Sequence, residues 1–183
     1  VYRSDEEGAF WLLRCALAQR CVAGTYATDL RGLQLELGCL RRLLALKTPR
    51  VGAALLRLGG DPSFFATDWL LCLFTCTLPA ETAARVWDAW LCEGPKVLLR
   101  VALALVLRCE ASLVRADSIL DFVEALRCEA RTAHHRDQLL NTAFHGIGSL
   151  PTATLQRFRA QAALELDAQL AELERRRKQR LHS

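Results

Sequence analysis

From residue 6 to residue 180 the apolar side chains recur at spacings of three and four, and almost nowhere do they alternate with polar ones. That period places them on one face of a helix rather than one face of a strand. Runs rich in Val, Ile and Thr, which would mark strands, are missing, and the fold class expected is all-α. Ser4 reads as the cap of a first helix whose opening turn holds Asp5, Glu6 and Glu7 and whose apolar face carries Phe10, Leu13 and Leu17. Gly24 ends it and residues 24–32 form a loop. A second helix is predicted over 33–46, with Leu37, Leu40 and Leu44 on one face, and Thr48-Pro49 stops it and starts a short third over 51–58. Asp61-Pro62 opens an apolar helix that runs through Trp69, Leu70, Leu73 and Phe74. Leu78-Pro79 begins the next, with Val86, Trp87, Trp90 and Leu91, before Glu93-Gly94-Pro95 breaks it. Helices over 96–108, 117–128, 133–144 and 152–180 complete a packed array of about nine. No Trp, Pro or Gly spacing repeats with a fixed period, which disfavours a solenoid.

A chain of 183 residues, 52% apolar and 24% charged, is enough for one cored domain and too short for two full-sized ones. Its eight cysteines sit mostly inside apolar helical runs, as reduced thiols in a cytoplasmic protein do, rather than between turns as in a disulfide scaffold. The longest apolar stretch, 101–107, is bracketed by Arg100 and Arg108 and falls far short of the roughly 20 residues that span a bilayer. Nothing at the start resembles a secretory signal. The chain contains no Met and has Val at position 1, which leads us to expect a piece of a longer protein.

Residues 64–100 read FFATDWLLCLFTCTLPAETAARVWDAWLCEGPKVLLR. The compound pattern W-x4-F-x3-L-P-x6-V-W-D-x4-E-G within them resembles the C-terminal signature of TBC domains, the modules that stimulate GTP hydrolysis by Rab GTPases. Upstream, Glu6, Glu7, Ala9, Phe10, Trp11 and Leu12 resemble the family's E-x-x-F-W motif, and Gly24, Thr25 and Tyr26 its G-Y-Y loop. Residues 141–159 and the charged tail are similar to the end found in part of the family.

The resemblance implies a mechanism. A Rab hydrolyses GTP slowly until a partner stabilises charge and positions water at the γ-phosphate. Family members supply both in trans, through an arginine in I-x-x-D-x-x-R and a glutamine in Y-x-Q, and both motifs lie upstream of E-x-x-F-W. Here Ile119 and Ile147 lack the following Asp and Arg, while Tyr2 and Tyr26 have Ser4 and Thr28 where Gln would stand. Neither finger is in this sequence, so no catalytic residue is assigned to it. Two expectations follow. Either the chain is the C-terminal part of an active protein whose N-terminal catalytic lobe precedes Val1, which we favour, or it binds GTPases without accelerating them.

Several marked residues have plainer explanations. Trp69 and Trp87 read as core packing rather than partner anchors, and Asp88 as a structural hydrogen-bond acceptor. Asp68 and Lys96 flank these helices and are read as solvated charges. Cys72 and Cys76, four apart, are expected to share one helix face as buried thiols, since no C-x2-C or H-x3-H partner completes a metal site. His134 and His135 open a polar helix with no Cys or Ser nucleophile beside them. No phosphate-binding G-x4-G-K-S/T loop exists, so GTP and Mg belong to the partner GTPase and the chain itself is expected to hold no cofactor and no metal.

The tail carries five cations, Arg175, Arg176, Arg177, Lys178 and Arg180. They suit a helix C-terminus and are offset by Glu165, Asp167, Glu172 and Glu174. Net charge of +4 does not demand nucleic acid. Leu155, Phe158, Ala162, Leu166, Leu170 and Leu173 give the last helix an apolar stripe that docks on the domain or on a partner helix. The expected division is therefore 1–150 as the C-terminal part of a TBC domain and 151–183 as an amphipathic charged helix. The expected function is stimulation of Rab GTP hydrolysis in vesicle trafficking, with no independent catalysis by this chain, by a cytoplasmic protein able to associate peripherally with membranes. The competing reading is a non-catalytic Rab- or protein-binding helical scaffold.

Overall fold

A computed structural model describes residues 5–181. Among them the secondary structure is helical throughout, with ten α-helices and one π-helix where about nine helices were expected. They are α1 Glu6–Arg20, α2 Arg31–Lys47, α3 Pro49–Arg57, α4 Ser63–Leu71, α5 Ala80–Glu93, α6 Lys96–Arg108, α7 Glu110–Arg115, α8 Ile119–Arg131, α9 Arg136–Asn141, the π-helix Thr142–Gly146 and α10 Thr152–Leu181.

The centre is α6. Its sequence KVLLRVALALVLR is apolar on every side, and Val97, Leu98, Leu99 and residues 101–106 are all buried. Such a helix is stable in water only when neighbours enclose it, and α2, α4, α5, α7, α8, α9 and the π-helix do so. Its charged residues escape along the seams. Arg100 donates to the carbonyl of Ala143 at 2.8 Å, where the π-helix begins, and lies over the Phe144 ring, while Arg108 reaches Glu129.

Asp5 caps α1 by accepting from the Gly8 N–H at 2.9 Å. The residue expected as cap, Ser4, lies outside the described residues. The loop after α1 turns at Gly24, whose φ is 81°, and α2 begins at Arg31, two residues before the expected start. Here Gly32 is required, because a Cβ on it would stand 2.3 Å from the Thr25 nitrogen. The Asp61 carboxylate accepts from the Ser63 N–H at 2.9 Å and binds Arg41. Burial raises its pKa, but those hydrogen bonds outweigh burial and hold it below the ordinary carboxylate range.

One expected helix is shorter than its pattern. After Leu71 the chain leaves α4 and turns through Leu73 and Phe74, both left-handed at φ 49° and 65°. Continuing the helix would keep Leu73 on the face of Trp69 but turn Phe74 well away from it; the turn puts all three into one core, where each is nearly inaccessible. Left-handed bulky residues cost on the order of 1–3 kcal/mol each. Trp69 stacks on Phe74 at 5.6 Å, and the Trp87 indole N–H donates to the Leu73 carbonyl at 3.0 Å, clamping the turn. Cys72 and Cys76 therefore do not share a helix face. Burial raises the Cys72 thiol pKa, and a hydrogen bond with Cys76 acts the same way.

The last helix is 30 residues long, about 45 Å. Its first half packs along α2. Arg159 forms a two-pronged ion pair with Glu36, Arg42 pairs with Glu165 and Arg31 with Asp167 at 2.7 Å. Gly38 permits the approach, since a Cβ there would lie 2.6 Å from that of Ala162. Leu155 and Ala162 are buried, whereas Leu170 and Leu173 are 47% and 61% exposed, so the stripe docks through its first half alone. Glu172 balances Arg175 and Arg176 as expected, but Glu165 and Asp167 are engaged by α2 instead.

Candidate partner-binding faces

Most residues singled out by pattern hold the fold. Trp69 is buried, Trp87 secures the turn after α4, and Trp90, fully buried, donates its indole N–H to the Arg20 carbonyl at 3.2 Å, tying the end of α1 to α5. Tyr26 donates to the Leu71 carbonyl at 2.8 Å and hydrogen-bonds the Cys21 thiol. Burial pushes Cys21 up to about 11 and Tyr26 up to about 12, so neither is a nucleophile or base near neutrality. Lys96 pairs with Glu93 at 2.8 Å. Asp68 is exposed. His134 and His135 precede α9 rather than open it, and His135 occupies its N-cap position. Among the described residues no group of His, Cys, Asp or Glu is arranged to hold a metal ion.

Two surfaces have no such internal purpose. The first is α1. Phe10, Trp11, Leu12 and Leu13 are 59%, 51%, 40% and 41% exposed, and Ala16 alone is buried. Four consecutive apolar residues point around most of a helix's circumference, so this helix offers an apolar surface on several sides. The pattern predicted its apolar residues but gave no means of telling that they would stay uncovered.

The second is a groove of about 500 Å³ between α5 and the α9–π-helix segment. Arg85, Asp88, Ala89, Cys92 and Glu93 line one wall, and Asp137, Leu140, Asn141, Phe144 and His145 the other. Asp88, expected as a structural acceptor, does accept a hydrogen bond, at 3.1 Å from Arg85 of its own helix, but it stands 63% exposed. Sequence reasoning missed the far wall because the π-helix, which adds a residue to its turn, has no pattern of its own.

The model of the Rab-GTPase-TBC domain family matches residues 1–114. Rat TBC1 domain family member 2A is 34% identical over 170 residues, which is 93% of this chain and 18% of that protein. Human growth hormone-regulated TBC protein 1 is 32% identical over 168 residues, 91% of this chain and 50% of that protein. The crystal structure of a Chlamydomonas flagellar RabGAP TBC domain superposes with a TM-score of 0.71 at 39% identity, over 79% of this chain and 48% of that one. The chain belongs to the Rab-GTPase-TBC domain family. It spans half or less of each of these three proteins. No described helix is long and apolar enough to cross a membrane.

Proposed function

We propose that this chain is the C-terminal lobe of a Rab GTPase-activating domain, acting in vesicle trafficking, and that the arginine and glutamine that act on GTP lie in an N-terminal lobe preceding it. The exposed apolar surface of α1 carries this reading: Phe10 and Trp11 are too large and too open for a helix with nothing to bind. A chain covering 48% of a solved TBC domain, with neither finger motif in its own sequence, supports it. In this scheme the upstream lobe supplies charge neutralisation and water positioning, and residues 1–150 brace it and contribute to the surface that holds the Rab. Nucleotide and Mg stay with the GTPase.

Single-turnover GTP hydrolysis across a panel of Rab proteins tests the proposal. A longer protein carrying the upstream lobe is expected to accelerate one or more Rabs about a thousandfold or more, the range of an arginine finger. Residues 1–183 alone are expected to accelerate none; a clear rate increase by them would overturn the division of labour. GTP-dependent binding without acceleration by the longer protein would favour the non-catalytic scaffold.

A further inference from the structure

The apolar stripe of α10 does not end where its seat ends. Asp167 pairs with Arg31, the first residue of α2, and beyond it every side chain from 168 to 180 is exposed except Glu172, half-buried beside Arg175 and Arg176. This free half is about 20 Å of helix. The spacing of three and four that seats Leu155 and Ala162 on the body nevertheless runs on through Leu166 to Leu170, Leu173, Arg177 and Arg180. The face that meets α2 thus continues past it as two exposed leucines and two arginines, and those arginines have neither an ion pair nor a side-chain hydrogen bond among the described residues.

Charge is distributed just as unevenly. Five cations between 175 and 180 meet only Glu172 and Glu174, so the free half carries +3 of the chain's net +4 and the rest of the molecule is close to neutral. Glu172 is shared by Arg175 and Arg176 at 3.1 and 2.8 Å, and ion pairs as exposed as these hold their arginines weakly. At about 100° per residue the five cations point all round the helix, which suits a broad negative field rather than one anion in a pocket. A second copy of the chain is a poor occupant: antiparallel pairing would need acids opposite the cations, and Glu165 and Asp167 are already held by Arg42 and Arg31. Nucleic acid would answer the charge but leave Leu170 and Leu173 in water. An anionic lipid surface answers both.

We infer that the free half of α10 is a membrane-contacting tip: Leu170 and Leu173 enter the boundary between headgroups and acyl chains of an anionic bilayer, and Arg177 and Arg180, with the cations around them, lie against lipid phosphates. Long arginine stems let the guanidinium stay with the phosphates while the leucines beside it go deeper. Because the first half of the helix is locked to α2, contact by the tip orients the whole domain on the surface. The inference does not depend on the Rab-activating reading.

Cosedimentation of the 183-residue chain with vesicles tests it, using phosphatidylcholine alone and phosphatidylcholine with phosphatidylserine at about two to one. Binding to the mixed vesicles is expected to be about tenfold tighter or more and to weaken as salt rises, whereas contact through the apolar surface of α1 would not distinguish the two. Arg177→Gln with Arg180→Gln should weaken it about tenfold or more, at about fivefold for each cation removed. Leu170→Gln with Leu173→Gln should weaken it about fivefold or more. Arg50→Gln with Arg131→Gln takes the same charge from α3 and α8 and should change it by about twofold at most. All the replaced side chains are exposed, so each variant should melt as the wild type does. Equal binding to both kinds of vesicle, wild-type affinity in either tip variant, or an equal loss in the control overturns the inference. A DNA duplex bound more tightly than the mixed vesicles overturns it in favour of nucleic acid.

Discussion

The helices at the two ends of the chain are bound to the body in opposite ways. The more apolar of them, α1, carries Phe10, Trp11, Leu12 and Leu13 and buries Ala16 alone. The charge-rich α10 is held along α2 by Arg159–Glu36, Arg42–Glu165 and Arg31–Asp167, with Leu155 and Ala162 sealed beneath. Apolar content therefore does not measure how firmly an element is attached. What counts is whether a complementary surface stands opposite, and α2 offers one to α10, with Gly38 allowing close approach and arginines matching acids, while α5 offers α1 little beyond the Trp90 indole N–H. In the proposed two-lobe arrangement this open face of α1 is the seat of the upstream lobe.

The strongest way to break the comparison is at Glu36, whose carboxylate is 7% exposed and faces Arg159 at 18%. Glu36→Ala leaves a mostly buried guanidinium unpaired and is expected to cost about 3 kcal/mol, at the lower edge of the range for breaking a buried pair, because Arg159 keeps some access to water. The midpoint of urea unfolding reads this directly. Adding Arg159→Met should recover most of the loss, since removing both charges also removes the desolvation penalty. A loss under 1 kcal/mol in the single variant would mean that the Glu36–Arg159 pair is not what holds α10, leaving the attachment to Leu155, Ala162 and the two outer ion pairs.

The attachment of α1 is tested by Trp90→Phe, which removes the hydrogen bond to the Arg20 carbonyl and leaves a small void at a fully buried position. The expected cost is about 1–2 kcal/mol. Hydrogen exchange distinguishes the two ends: amides of α1 should lose protection while those of 152–167 keep theirs. Equal loosening at both ends would show that Trp90 stabilises the body generally.

This contrast also marks how far the sequence could be read. Helical class, the breaks at Pro49, Pro79 and Gly94, and the buried character of α6 follow from period and local chemistry, which act over a few residues. The turn at Leu73 and Phe74 does not, because only the packing of Trp69 and the hydrogen bond from Trp87, 14 residues onward, make two left-handed bulky residues tolerable. Glu165 and Asp167 looked like counterions for the basic tail, yet their partners lie more than 120 residues away on α2. The family was legible in the compound motif of residues 64–100, and the motif's residues are mainly structural; the groove is formed by Asp88 together with a π-helix that no spacing announced.

The smallest effect is expected from the largest exposed side chains. Replacing Phe10 and Trp11 together by Ser in residues 1–183 removes 59%- and 51%-exposed rings whose internal contact is with each other, 5.5 Å apart, and with Arg14 over the indole. Helix propensity changes little between these residue types, so the unfolding free energy should move by about 0.5 kcal/mol or less. The isolated chain should also associate less in solution, because the substitution erases an apolar surface rather than a core. In the protein carrying both lobes the same pair should be severe: if α1 is the seat of the N-terminal lobe, two large buried aromatics are lost there at about 3–5 kcal/mol each in a fully packed site, and activation of the Rab should fall with the interface. Equal, small effects in both proteins would leave α1 a solvent-facing helix in each and remove the main support for a lobe seated upon it.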